Sequence, residues 1–224
     1  MKKMLALCLS TLFAVSALTG CGKTAATVSP AEPTVTLAPS PAAEAVKYPV
    51  VLTEVQLGNF QTALTNQENY GFLLCDYSDV SEVDLTQVFY TGAGMSNPEN
   101  SDKIIQAYIA KYGDNGSDTD STILTTKQIN DFLSSKTGCT LTDMKKPLSW
   151  RYVKEYDAYV HYHGDTNYVR VSCADGREIS ENLFEVNYTI PGGIADNDGK
   201  FLTGGTVTFK MSGDKIQFVS NSAH

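Results

Sequence analysis

The 224-residue sequence is poor in the residues from which active sites are assembled: one tryptophan, three histidines and five cysteines. No Gly-x-Ser-x-Gly, no His-Glu-x-x-His and no Cys/His nucleophile arrangement occurs in it, which removes the recognisable hydrolase signatures. Gly92-Ala93-Gly94 is followed by neither Lys-Ser nor Lys-Thr and has no third glycine at dinucleotide spacing, so it reads as a turn rather than a phosphate loop. The apolar run Met4 to Leu18, interrupted by Ser10, Thr11 and Ser16, is too short for a transmembrane helix. Basic residues are scarce as well, 17 against 25 acidic ones, and the net charge of −8 disfavours nucleic acid as a partner.

What the N-terminus does contain is a targeting pattern. Lys2 and Lys3 precede the apolar run, as in the charged and hydrophobic regions of a secretory signal. The run ends in Leu18-Thr19-Gly20-Cys21, which resembles the lipobox of bacterial lipoproteins. That resemblance implies a signal peptide over 1–20, cleavage after Gly20 and a diacylglyceryl group on the Cys21 thiol. The chemistry needs a cysteine, because only a thiolate is nucleophilic enough to form the thioether. It further implies a protein held on the extracytoplasmic face of the cell membrane through lipid on Cys21. Loss of Lys2 and Lys3 leaves 15 basic residues against 25 acidic, about ten net negative charges.

Residues 21–47 hold Pro30, Pro33, Pro39 and Pro41 among Ala, Thr, Ser and Val, with too few large apolar side chains to bury. This is a flexible tether, spanning roughly 30 Å as a coil. A single globular domain is expected over 48–224, since 42% hydrophobic residues with moderate charge suit a packed core. Of its cysteines, Cys75, Cys139 and Cys173 allow at most one bridge. Cys75 ends the run Phe72-Leu73-Leu74, Cys173 lies two residues beyond Val171, and both are expected as small buried apolar side chains.

The first half of the domain reads as helices. Leu57, Phe60 and Leu64 make one stripe within 53–66, Val83, Val88 and Phe89 another within 81–90, and Ile104, Ile105, Tyr108 and Ile109 a third within 101–112. Asp114, Asn115, Asp118 and Asp120 then form a polar loop that lacks the EF-hand glycine and closing glutamate. A fourth helix opens on Thr125-Thr126-Lys127-Gln128, which has capping-box spacing, and stops at Gly138. Beyond Pro147 the period becomes two, with strands expected at 152–163, 168–174, 183–190, 205–211 and 215–220 joined by short turns. The expected fold is therefore α+β, with N-terminal helices packed on one face of a five-stranded antiparallel meander.

The first of these strands carries the candidate site. Its alternation puts Tyr152, Tyr156, Ala158, Val160 and Tyr162 on one face and Val153, Glu155, Asp157, Tyr159, His161 and His163 on the other. Two imidazoles at i and i+2 of a strand suit one metal ion, with Asp157 or Asp165 supplying an oxygen ligand. The competing reading makes Gly164-Asp165-Thr166-Asn167 a hairpin turn with exposed histidines beside it. A third reading draws on aromatic density: Trp150, Tyr159, His161, His163, Asp165 and Asn167 would grip an envelope saccharide or peptide, since tyrosine and tryptophan offer a flat apolar face and a polar tip.

The stretch from Glu155 to Asn167, together with Gly71-Phe72-Leu73-Leu74 and Val88 to Gly94, resembles a group of uncharacterised cell-envelope lipoproteins of Gram-positive bacteria. The resemblance implies a single domain from about residue 50 onward and no particular activity. The expectation is a ligand-binding or structural module rather than an enzyme. The alternative is a metal-assisted hydrolase on the His161/His163 strand.

Overall fold

The structure, a computed structural model, describes residues 46–114, 120–164, 169–196 and 199–224. The signal segment, most of the tether with Cys21, and Asn115, Asp118, Asp165, Asn167 and Tyr168 lie outside these residues. In chain order the elements are β1 (Val50–Val51), α1 (Glu54–Thr65), α2 (Tyr70–Leu73), α3 (Leu85–Phe89), α4 (Ser101–Tyr112), β2 (Asp120–Thr125) and α5 (Thr126–Thr137). Then come β3 (Arg151–Val153), β4 (Ala158–His163), β5 (Ser172–Ser180), β6 (Leu183–Ala195), β7 (Phe201–Ser212) and β8 (Lys215–Ala223).

The helices start and stop where side chains satisfy their free backbone groups. Thr53 caps α1 and Thr125 caps α5, each in a reciprocal box with the glutamine three residues on, Gln56 and Gln128. Gly113 and Gly138 end α4 and α5 in the left-handed conformation, with φ of 71° and 74°. Among the described residues no helix is long and apolar enough to cross a membrane.

Five strands form one antiparallel sheet in the order β1-β5-β6-β7-β8. Two-residue loops join β5 to β6 and β7 to β8, with Asn182 and Gly213 at φ of 59° and 60°. Alternation is plain along β6 to β8: Phe184, Val186, Tyr188, Ile190, Val207, Phe209, Ile216 and Phe218 are buried. The rings of α1 and α2 meet this set. Phe60 lies 5.0 Å from Phe184 and 5.1 Å from Phe209, and Phe72 stacks on Phe218 at 4.2 Å.

The membership of the sheet differs from expectation. Residues 152–163 do not lead the meander; they split into β3 and β4 and leave the large sheet altogether. A 3-10 turn over Lys154–Tyr156 and Asp157 at φ 47° break the strand, so the alternation restarts at Ala158. Tyr152 consequently pairs with Tyr159 and shares its face, instead of the face of Val160. The fifth strand of the large sheet is β1, only two residues long and without a periodic signal. The strand expected at 168–174 runs instead from Ser172 to Ser180. Asp175-Gly176 has the composition of a turn, yet Gly176 pairs with Val186 within the strand, and the position needs glycine because a Cβ there would lie 2.9 Å from both Leu52 Cδ1 and Glu185 O.

β3 and β4 join β2 in a separate antiparallel sheet of order β2-β4-β3. Part of the segment expected as polar loop, Asp120 and Ser121, is thus the start of a strand. One face of this small sheet packs Ile123, Val153, Ala158 and Val160 with Ile104 and Tyr108 of α4, forming a second core. Leu124, Trp150 and Tyr159 belong to the main core. Cys75, Cys139 and Cys173 are free thiols. Cys75 is buried as expected, while Cys173 is only half-buried and burial pushes its thiol up to about 11.

Candidate functional site

Cross-strand pairing builds the site. In the antiparallel ladder Arg151 pairs with Val160, which brings Trp150 beside His161. Their rings stack 5.1 Å apart, 11° from parallel. His163 follows at 5.9 Å from His161 and 26°, and Tyr90, just after α3, lies 5.5 Å from the first imidazole and 5.2 Å from the second. Phe89 meets Trp150 edge-on at 6.3 Å. The result is a file of aromatic rings running from the main core to the end of β4.

The two histidines differ chemically. His163 is buried, 8% exposed, and both its ring nitrogens have partners: Nδ1 and Gly164 O at 2.9 Å, Nε2 and Thr122 Oγ1 at 2.9 Å. A carbonyl can only accept, so Nδ1 carries a proton, and in the neutral ring Nε2 accepts from the Thr122 hydroxyl. His161 Nε2, by contrast, is buried without a hydrogen-bond partner, and so is Trp150 Nε1. Burial first, and the neighbouring His163 second, hold the His161 pKa below the ordinary histidine value. The pair expected as exposed beside a turn is therefore one buried and one half-buried imidazole, because the face that carries them packs against Tyr90 and Trp150.

Of the proposed metal ligands, the structure brings His161 and His163 together and leaves Asp157 apart. Asp157 sits at the opposite end of β4, about 13 Å away along the strand at four residues' rise. There its carboxylate accepts from Thr126 Oγ1 at 2.5 Å and Tyr152 OH at 2.7 Å. Its own carbonyl accepts from Thr126 N at 2.9 Å, which fastens the start of α5 to the small sheet. These hydrogen bonds, the Thr126 one foremost, hold the Asp157 carboxyl below the usual carboxylate range. Among the described residues no three His, Cys, Asp or Glu side chains gather as a metal site. Tyr159 lies two residues before His161 on the same face, with its ring 4.9 Å from Tyr152.

Three neighbours were not legible as site residues. Thr122 belongs to an unrecognised strand. Tyr90 reads from the sequence only as the end of a helix. The third is the turn Gly92–Gly94, in which all three residues take positive φ, of 77°, 48° and 78°. Ala93 in the left-handed region is a strained position, buried to 2% exposure, and Gly92 faces Thr122, whose Cγ2 would lie 3.4 Å from an added Cβ. The sequence does mark this turn through its glycines, but nothing in it says that the turn abuts the histidine strand.

No protein-family profile, curated protein or solved structure matches the chain.

Proposed function

We propose that the chain is a lipid-anchored extracytoplasmic binding module of the cell envelope, tethered through Cys21, whose single α+β domain carries its helices on one face of the large sheet. The contacts of Phe60 and Phe72 with Phe184, Phe209 and Phe218 support that arrangement. The binding site is the aromatic file of Trp150, His161 and His163 with Tyr159 beside it; Asp165 and Asn167, also expected there from the sequence, lie outside the described residues. One observation carries the reading: Trp150 Nε1 and His161 Nε2, on stacked rings, are buried with no protein partner. Unmet polar capacity of this kind is costly, and a saccharide or peptide group supplies the missing bonds.

The alternative, a metal-assisted hydrolase, asks both histidines to bind one ion. With Nδ1 and Nε2 of His163 both engaged, metal binding has to displace Thr122 or Gly164, so the binding reading is preferred. Trp150 is the chain's one tryptophan, which makes it the reporter. Titration with N-acetylglucosamine oligomers and with short peptides should change its fluorescence, and Tyr159→Ala should abolish the change. Stoichiometric zinc or manganese in the purified protein, lost in His161→Ala, would favour the hydrolase instead. For the anchor, Cys21→Ala should release the protein from membranes, and the wild type should carry a lipid adduct by intact mass. An unmodified Cys21 thiol in membrane-derived protein defeats that part of the reading.

A further inference from the structure

A second candidate site lies apart from the aromatic file. The segment after α2, the start of α3, the loop after Lys145 and the β6–β7 end of the large sheet enclose a cavity of about 280 Å³. Its size suits a small ligand, at the lower end of small-molecule sites. The wall carries charges of both signs: Lys146 and Lys200, and Asp76, Asp84 and Asp196, with Cys75 at the wall between them.

Asp76 and Asp84 do not neutralise the two lysines. Among the described residues no ion pair joins either lysine to Asp76 or Asp84, and the side chains of Lys146 and Asp76 make no hydrogen bond at all. Asp84 uses Oδ1 to cap α3 at Thr86 N, which leaves Oδ2 without a hydrogen bond. Lys200 Nζ donates to Ala223 O at 3.1 Å and retains two further N–H groups. Asp84, Lys146 and Asp196 nevertheless converge, because all three act on one thiol. Burial first, then Asp84 and Asp196, push the Cys75 thiol up, while Lys146 pulls it the other way.

The lining discriminates among ligand classes. Three carboxylates repel a simple anion, two ammonium groups repel a simple cation, and charged walls disfavour an apolar guest. A molecule with both charges, held apart by its own backbone, matches walls whose opposite charges are held apart by the cavity. We propose that this cavity binds a small zwitterion, an amino acid or dipeptide, with its carboxylate toward Lys146 and Lys200 and its ammonium toward Asp76 and Asp84. The buried Cys75 thiol takes no chemical part, since its raised pKa keeps it protonated and inert.

The test is an NMR titration of the full chain with glycylglycine, acetate and methylamine in parallel. Glycylglycine should shift the backbone amides of Cys75, Lys146 and Lys200, and acetate or methylamine at the same concentration should not. Lys146→Ala and Asp76→Asn, both exposed substitutions, should each weaken binding about tenfold. Tyr159→Ala should leave it unchanged, which separates this site from the aromatic file. Absence of shifts with glycylglycine, equal shifts with acetate or methylamine alone, or indifference to both variants overturns the proposal.

Discussion

The two sheets solve the same packing problem with opposite treatment of polar groups. In the large sheet Tyr188 reaches across to Leu73 O at 2.7 Å and Asn221 Oδ1 at 3.1 Å. Asn221 Nδ2 in turn donates to Leu73 O and Cys75 O at 3.2 and 2.7 Å. A glycine makes room for this: a Cβ on Gly205 would lie 2.6 Å from the Tyr188 hydroxyl. The small sheet joins β2 to strands distant from it in sequence, with Asp157 in the left-handed region between β3 and β4. It also holds two of the four buried side-chain atoms without partners among the described residues, His161 Nε2 and Tyr162 OH; Trp150 Nε1 lies just before β3, and the fourth is Tyr77 OH. The large sheet is built for stability, and the small one retains hydrogen-bonding capacity that folding has not used.

That division should appear first in the size of truncation effects. Phe209 is fully buried, against Phe60 at 5.1 Å and Phe184 at 5.8 Å. Phe209→Ala is expected to lose about 3–5 kcal/mol through lost transfer energy and the void left behind. Urea unfolding of the purified protein measures it, and a loss under about 1 kcal/mol would break the comparison at its root. Next comes Asn221→Ala, which leaves the Cys75 carbonyl without its side-chain donor while Tyr188 still donates to Leu73 O, and is expected to cost about 1.5 kcal/mol. In the small sheet, His163→Phe leaves the buried Thr122 hydroxyl unpaired while Gly164 O is exposed and rehydrates. About 1 kcal/mol is the expected loss.

Why one sheet was legible in the sequence and the other was not follows from the same contrast. β6 to β8 face solvent on one side, so Phe184, Val186 and Tyr188 alternate with Glu185 and Asn187, and hairpin loops pair neighbours in the chain. The capping boxes at Thr53 and Thr125 and the glycine stops at Gly113 and Gly138 are local, and were equally readable. β2 has Thr122, Ile123 and Leu124 buried in succession, which removes the alternation, and its partner β4 lies more than thirty residues away. The tyrosine-rich stretch stands out in the sequence, yet its alternation breaks at Asp157, because no residue pattern announces a left-handed aspartate inside an apparent strand. His161 and His163 were legible as a pair. Trp150 stacking on one, and Thr122 and Gly164 occupying the other, depend on pairing that only the folded chain supplies.

The smallest expected effect is also the one that isolates the unused capacity. His161→Phe keeps a flat ring against Trp150 and removes a nitrogen that has no partner, so stability at pH 7.5 should change by less than about 0.5 kcal/mol or rise slightly. Its consequence appears with acid. Burial and the nearby His163 lower the His161 pKa in the folded protein relative to 6.5, so the unfolded chain takes up that proton first as pH falls. The stability of the wild type that depends on a neutral His161 is therefore complete above pH 6.5 and declines below it, until the folded ring is protonated too. No charge changes at a phenylalanine. The variant should accordingly lose less stability than the wild type between pH 7.5 and pH 5.5, measured as the shift in urea midpoint with Trp150 fluorescence as the probe. Parallel loss in the two proteins would mean that His161 exchanges its proton as readily folded as unfolded, and that the ring is satisfied by something other than a ligand.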